Sequence, residues 1–119
     1  DEKEVRRVVT LYIDGAGKGN ADQMNEAFHS SARWFGTMDG VDYDMDKEGF
    51  VALMVETPGN PSSAKIVDIQ IDGTAATATV KEEGFWGGLS FTDFFQLSIL
   101  EGHWQITCKT WAHTGGQHA

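Results

Sequence analysis

Positive charge is scarce in this sequence. Lys and Arg number 9 against 18 Asp and Glu in 119 residues, which leaves a net charge of −9. Nucleic-acid binding needs clustered Lys and Arg to displace phosphate counterions, so the deficit argues against that partner. It argues equally against an anionic membrane surface. No apolar run approaches the ~20 residues that span a bilayer. Cys108 is the single cysteine, so an internal disulfide and any CxxC or multi-cysteine zinc site are excluded. A lone cysteine is compatible with the cytoplasm, the expected location. No signal peptide is visible in the charged stretch from Asp1, and a leader removed ahead of it stays open. His29, His103, His113 and His118 show no HxxxH or HxH spacing, so no metal site is expected, and no cofactor is implied.

What the chain does hold is enough apolar material for one ordinary core: 40% of residues are hydrophobic and 23% charged. A single domain over 1–119 is expected. Val5, Val8, Val9, Tyr12 and Ala16 recur at helical spacing, and Gly15, Gly17 and Gly19 end that helix. Asn20 caps a short second helix burying Met24, Ala27 and Phe28. Ala32, Trp34 and Phe35 read as a strand, closed by Met38-Asp39-Gly40. A third helix starts near Asp44 or Asp46, buries Phe50, Leu53 and Met54, and stops before Pro58.

After the loop Thr57 to Ser63 the period changes to two. Val67, Ile69 and Ile71 alternate with polar residues, then Ala76, Ala78 and Val80; Leu89 to Leu100 and Trp104 to His113 follow, joined at Glu101-Gly102. Helices first and antiparallel strands afterwards predict an α+β domain. The tail from Gly115 to Ala119 reads as frayed.

Two superficially chemical patterns fail. Gly15-Ala16-Gly17-Lys18-Gly19 ends a helix and lacks the Gly-Lys-Ser/Thr of a phosphate loop. Asp42, Asp44, Asp46 and Glu48 resemble the start of a calcium loop, but Lys47 replaces the glycine and Leu53 the closing Glu, so an acidic helix N-terminus is the better account.

Turn positions fix a register. With Glu101-Gly102 as the last turn, Ile99 faces Trp104, Leu97 faces Ile106, Phe95 faces Cys108 and Asp93 faces Thr110. Val80 then faces Asp93, and Glu82 faces Phe91. This face is apolar or small except for Asp93, Glu82 and Thr110, so the helices must cover it. The opposite face carries Thr92, Phe94, Gln96, Thr107, Lys109, Trp111 and His113. Aromatic residues there predict a homodimer interface through Phe94, Trp111 and His113.

Phe91-Thr92-Asp93-Phe94-Phe95, followed by Gly102-His103-Trp104-Gln105-Ile106, resembles the nuclear-transport-factor-2-like superfamily, in its SnoaL-like and lumazine-binding branch. Leu11 to Gly15, Ala27 to Ala32 and Lys109 to His113 match it too, so the resemblance covers nearly the whole chain. It implies a cone: a strongly curved antiparallel sheet wrapped around three N-terminal helices, a cavity opening at one end, and dimerisation through the convex face. Relatives resembling ketosteroid isomerase pair a first-strand acid with a helix tyrosine and a sheet acid. Tyr12 and Asp93 lie in segments similar to the latter two. The first-strand acid is missing from Ala32-Arg33-Trp34-Phe35-Gly36, which departs from the steroid isomerase pattern. Neither an Arg–Asp pair of epoxide-hydrolase type nor a His–Asp pair of dehydratase type is recognisable.

The candidate catalytic pair is Asp93, an acid between Phe91 and Phe95, with Tyr12 as hydrogen-bond donor. Phe28, Trp34, Phe50, Met54, Glu82, Trp86, Phe91, Phe95 and Trp104 are the expected ligand-binding residues, with Glu82 at the mouth and Phe85-Trp86 either an aromatic flap, a cap on the core or part of the dimer contact. Such a lining suits a small apolar or aromatic molecule. The alternative is a cofactor-free isomerase, dehydratase or cyclase using Asp93 as general acid or base.

Overall fold

Asp1 opens the first helix by accepting hydrogen bonds from the backbone N–H groups of Lys3 and Glu4 at 3.0 and 3.4 Å, two donors that a helix start otherwise leaves unpaired. A computed structural model describes residues 1–117. Its first helix, α1 (Glu2–Lys18), runs through Gly15 and Gly17 and ends only at Gly19, which adopts φ 70°. Gly15 therefore does not end the helix. A Cβ there would stand 2.8 Å from Met24 Cγ, so the glycine lets α2 (Ala21–Ala27) approach closely. Asn20 caps α2, accepting from Gln23 N at 3.1 Å.

The chain passes directly from α2 into β1 (Phe28–Met38). The acidic run that read as a helix start is instead strand β2 (Val41–Asp46), in which Val41, Tyr43 and Met45 alternate with the three aspartates. Only Asp46 and Glu48 belong to the helix signal: Asp46 caps α3 (Lys47–Glu56) by accepting from Gly49 N at 2.8 Å, and Glu48 lies in its first turn. Four longer strands complete the chain: β3 (Ser63–Asp72), β4 (Ala75–Phe85), β5 (Leu89–Leu100) and β6 (His103–Gly115). Gly115 is paired with Ser90, so the expected fraying does not begin there. His118 and Ala119 lie outside the described residues.

The six strands form one sheet in the order β2-β1-β6-β5-β4-β3. All neighbours are antiparallel except β1 and β6, which run parallel. That pair corrects the wholly antiparallel expectation. After β2 the chain makes α3 and a four-strand meander before returning beside β1, the long connection a parallel pair requires. The helices cover the concave side, where Val5, Val8, Val9 and Tyr12 of α1 join Ala78, Val80, Phe95 and Ile106 of the sheet in one core.

Register decides which side chains reach that side. Val80 pairs with Asp93 and Glu82 with Phe91, as the turn predicts. Between β5 and β6, Ile99 pairs with Trp104 and Leu97 with Ile106, also as predicted. Gln96 then pairs with Cys108, so Thr107 is an extra residue, a β-bulge that shifts everything beyond it. Phe95 faces Lys109, Asp93 faces Trp111 and Phe91 faces His113. Thr110 is exposed and Cys108 only half-buried, and burial pushes the Cys108 thiol up. Lys109 is buried, with Trp111 and His113 partly so. The outward placement of Trp111 and His113 beside Phe94 is therefore corrected. Phe94 alone of the three stays outside, 49% exposed.

Candidate functional site

A cavity of about 60 Å³ opens between α3 and the concave sheet, room for a few water molecules. Its walls are Met38, Tyr43 and Met45 from the β1–β2 hairpin and Phe50, Leu53 and Met54 from α3. Phe85 and Trp86 stand at the β4–β5 turn, and Glu82, Phe91, Asp93, Lys109 and Trp111 come from the sheet. Six residues expected at the site are thus brought together: Phe50, Met54, Glu82, Trp86, Phe91 and Asp93. Tyr12, Phe28, Trp34, Phe95 and Trp104 are buried in the core and do not line the cavity. Four of them form the aromatic layer behind it: Trp34 stacks on Phe50 at 4.5 Å, Phe28 meets Trp34 at 4.5 Å, and Tyr12 meets Phe95 at 4.9 Å.

Trp111 reaches the wall because its neighbour on β1 is Gly36. A Cβ at Gly36 would lie 2.5 Å from the indole ring, so only glycine lets the ring lie across that strand. Tyr43, paired with Gly36 from the other side, comes to 6.1 Å from Trp111, ring centre to ring centre. At the mouth, Trp86 sits in the left-handed region with φ 49°, between Gly84 and Gly87, which also have positive φ. Its backbone N–H donates to Gly59 O at 2.7 Å and its indole N–H to Thr57 O at 2.8 Å.

The polar part of the site is small and almost dry. Asp93 is 1% exposed, Glu82 2% and Lys109 7%. Lys109 Nζ donates to the Tyr12 hydroxyl at 2.6 Å and stands 3.5 Å from Asp93 Oδ2. The ring centres of Tyr12, Phe50 and Trp111 lie 4.8, 5.3 and 5.4 Å from the same nitrogen, a cage that favours a cation. Burial, and then the neighbouring Asp93 carboxylate, push the Glu82 carboxyl well above its ordinary range, against the pull of Lys109. Burial, with the charges of Glu82 and Asp93, likewise raises Tyr12, which keeps its phenol proton. Glu82 therefore favours the carboxylic acid form, beside an Asp93 paired with an ammonium.

Among the described residues, no group makes a well-aligned hydrogen bond to either carboxylate oxygen of Asp93 or to Oε2 of Glu82, although the Lys109 ammonium stands 3.5 Å from Asp93 Oδ2 and the Glu82 carboxyl and Tyr12 hydroxyl lie beside that carboxylate. Buried oxygens of this kind are costly to leave without donors. Sequence reasoning missed Lys109 because nothing in Ile106-Thr107-Cys108-Lys109 marks the bulge. It also missed Met38, Tyr43, Met45, Leu53 and Trp111 as lining residues, whereas Phe85 stands beside Trp86 as the flap reading expected. The alternation of β2 was the available signal for Tyr43 and Met45. Among the described residues, no cluster of His, Cys, Asp and Glu could hold a metal ion, and no helix is long and apolar enough to cross a membrane.

This arrangement can be set beside known proteins. A solved NTF2-like protein of unknown function from Shewanella baltica OS155 is 29% identical, with a TM-score of 0.86 over 97% of this chain and 94% of that one. Another from Methylobacillus flagellatus KT is 28% identical, with a TM-score of 0.84 over 97% and 93%. A third, from Silicibacter pomeroyi DSS-3, shares the fold at 20% identity, with a TM-score of 0.84 over 94% of each chain. No curated protein matches the chain. Residues 1–112 match the model of one family, and the chain belongs to it: the family described as Putative lumazine-binding, with an NTF2-like fold.

Proposed function

We propose that the chain is a small-molecule-binding domain and that its ligand enters the cavity between α3 and the sheet. The observation that carries this reading is the buried carboxyl pair of Asp93 and Glu82, with the Lys109 ammonium beside it, at the wall of an otherwise aromatic and methionine-lined space. A ligand that satisfies them supplies N–H or O–H groups on a small apolar or aromatic body. A phosphorylated or strongly anionic ligand does not suit two acids. The family description supports a heteroaromatic ligand, since a lumazine ring carries N–H groups on a flat body. A two-ring ligand needs more than the about 60 Å³ available, so Trp86 at the mouth has to give way. The Phe94 face supports the further reading that two copies pair through the outer side of the sheet.

The test is a titration with lumazine and with indole, a flat N–H donor, followed by NMR. Saturable shifts confined to the indole N–H signals of Trp86 and Trp111 are expected. Asp93→Asn should weaken binding by roughly tenfold, the loss of one hydrogen bond to a charged group. Spectra unchanged by both compounds would sink the assignment of the cavity.

A further inference from the structure

Among the described residues Lys109 is the only lysine that lines the cavity. Lys3, Lys18, Lys65 and Lys81 are exposed, and Lys47 is tied to the carbonyl oxygens of Asn25 and Phe28. An ammonium held among rings, with the Asp93 carboxylate 3.5 Å away to take its proton and the Glu82 carboxyl on the same cavity wall, has what carbonyl condensation requires: a nucleophile once deprotonated, a base and an acid. We infer that Lys109 is a carbonyl-capturing amine that condenses with a small aldehyde inside the cavity to form an imine. The inference rests on the small-molecule reading above and adds a covalent step to it.

The step balances with the groups present. Asp93, 3.5 Å away, takes one proton from the ammonium, and the freed nitrogen lone pair attacks the aldehyde carbon. The C=O π pair moves to oxygen, which takes the Glu82 proton; Glu82 recovers a proton from the nitrogen, leaving a neutral carbinolamine. Asp93 then returns its proton to the hydroxyl, the C–O bond breaks, and water leaves. The product is a protonated imine, paired with the Asp93 carboxylate and held among the rings of Tyr12, Phe50 and Trp111. Tyr12 positions the amine: its hydroxyl accepts from Nζ at 2.6 Å and so fixes the nitrogen beside Asp93. A small aliphatic aldehyde suits the cavity volume of about 60 Å³ without displacing Trp86.

The experiment is reductive trapping of the full chain with propanal and cyanoborohydride, with peptide mapping over time. Propyl labelling at Lys109 should run roughly tenfold or more faster than at Lys3, Lys18, Lys65 and Lys81, and Glu82→Gln should slow Lys109 alone by a similar factor. Lys109→Arg keeps the charge and should show only the slow surface labelling. The mapping of the unmodified protein decides by itself, so a variant that fails to fold leaves the result intact. Labelling at Lys109 no faster than at the surface lysines overturns the imine step. If indole still shifts Trp86 and Trp111, the binding reading survives that result; if indole shifts neither, both readings fall together.

Discussion

Lys109 on the last strand and Tyr12 on the first helix, 97 positions apart, share a 2.6 Å hydrogen bond in the buried interior. The bond ties the covering helix to the sheet where Glu82, Asp93 and Lys109 bring charge into the core. It also fixes the price of removing the lysine, because Asp93 would lose its counterion while staying 1% exposed. Lys109→Met should cost about 3 kcal/mol at pH 8, the range for breaking a buried pair from one side. Urea unfolding at pH 8 checks this, and a variant as stable as the parent would show that the pair holds nothing in place.

Glu82 gives a pH dependence of definite sign. Its carboxyl is raised well above 4.5 in the folded state, by burial first and by Asp93 second. The folded protein therefore binds this proton more tightly than the unfolded chain does. The stability that follows is fully present below the unfolded value and is lost as pH rises through the folded one. Measured against Glu82→Gln, the parent should lose up to about 1.4 kcal/mol per pH unit above pH 5 until the folded carboxyl has ionised. Stability curves that stay parallel from pH 5 to 8 would mean that Glu82 ionises as freely folded as unfolded.

The fold was legible in the sequence because its signals are local. The helix period of Val5, Val8, Val9 and Tyr12, the cap at Asn20 and the Glu101-Gly102 turn each place an element without reference to the rest. Part of the site was legible too, since Glu82, Phe91 and Asp93 follow from alternation and one turn. Lys109 was not. A bulge adds one residue and inverts the face of everything after it, and Ile106 to Lys109 alternates acceptably in either register. The misplaced Trp111 was the cost of that single residue. For β2 the failure was of another kind: Asp42, Asp44 and Asp46 satisfy both an acidic helix start and the solvent side of an edge strand, and only pairing with β1 chooses between them.

Gly36 is the hinge of the Trp111 wall. An added methyl would meet the indole at 2.5 Å, and backbone on β1 cannot retreat without disturbing its pairs on both sides. Gly36→Ala should destabilise the protein by about 1–3 kcal/mol, the usual range for overpacking, and should turn Trp111 away from Tyr43. Denaturant unfolding gives the first quantity, and the Trp111 indole signal reports the second. An unchanged Trp111 environment would mean that the ring does not rest on the glycine.

Phe94 tests the outer face. It is 49% exposed on β5, flanked across the sheet by Thr79 and Thr110, so a charge placed there disturbs no buried neighbour. If two copies pair through this side, Phe94→Glu should weaken the dimer about a hundredfold, the scale of an aromatic anchor at an interface centre, and leave the monomer's unfolding curve nearly unchanged. Trp111→Ala is the matched control. Its ring lines the cavity on the concave side, so it should alter the cavity and leave the association unchanged. Sedimentation across a concentration series separates the cases. A dimer that survives Phe94→Glu but is lost with Trp111→Ala would move the interface to the cavity mouth, where a second copy would close over Trp86.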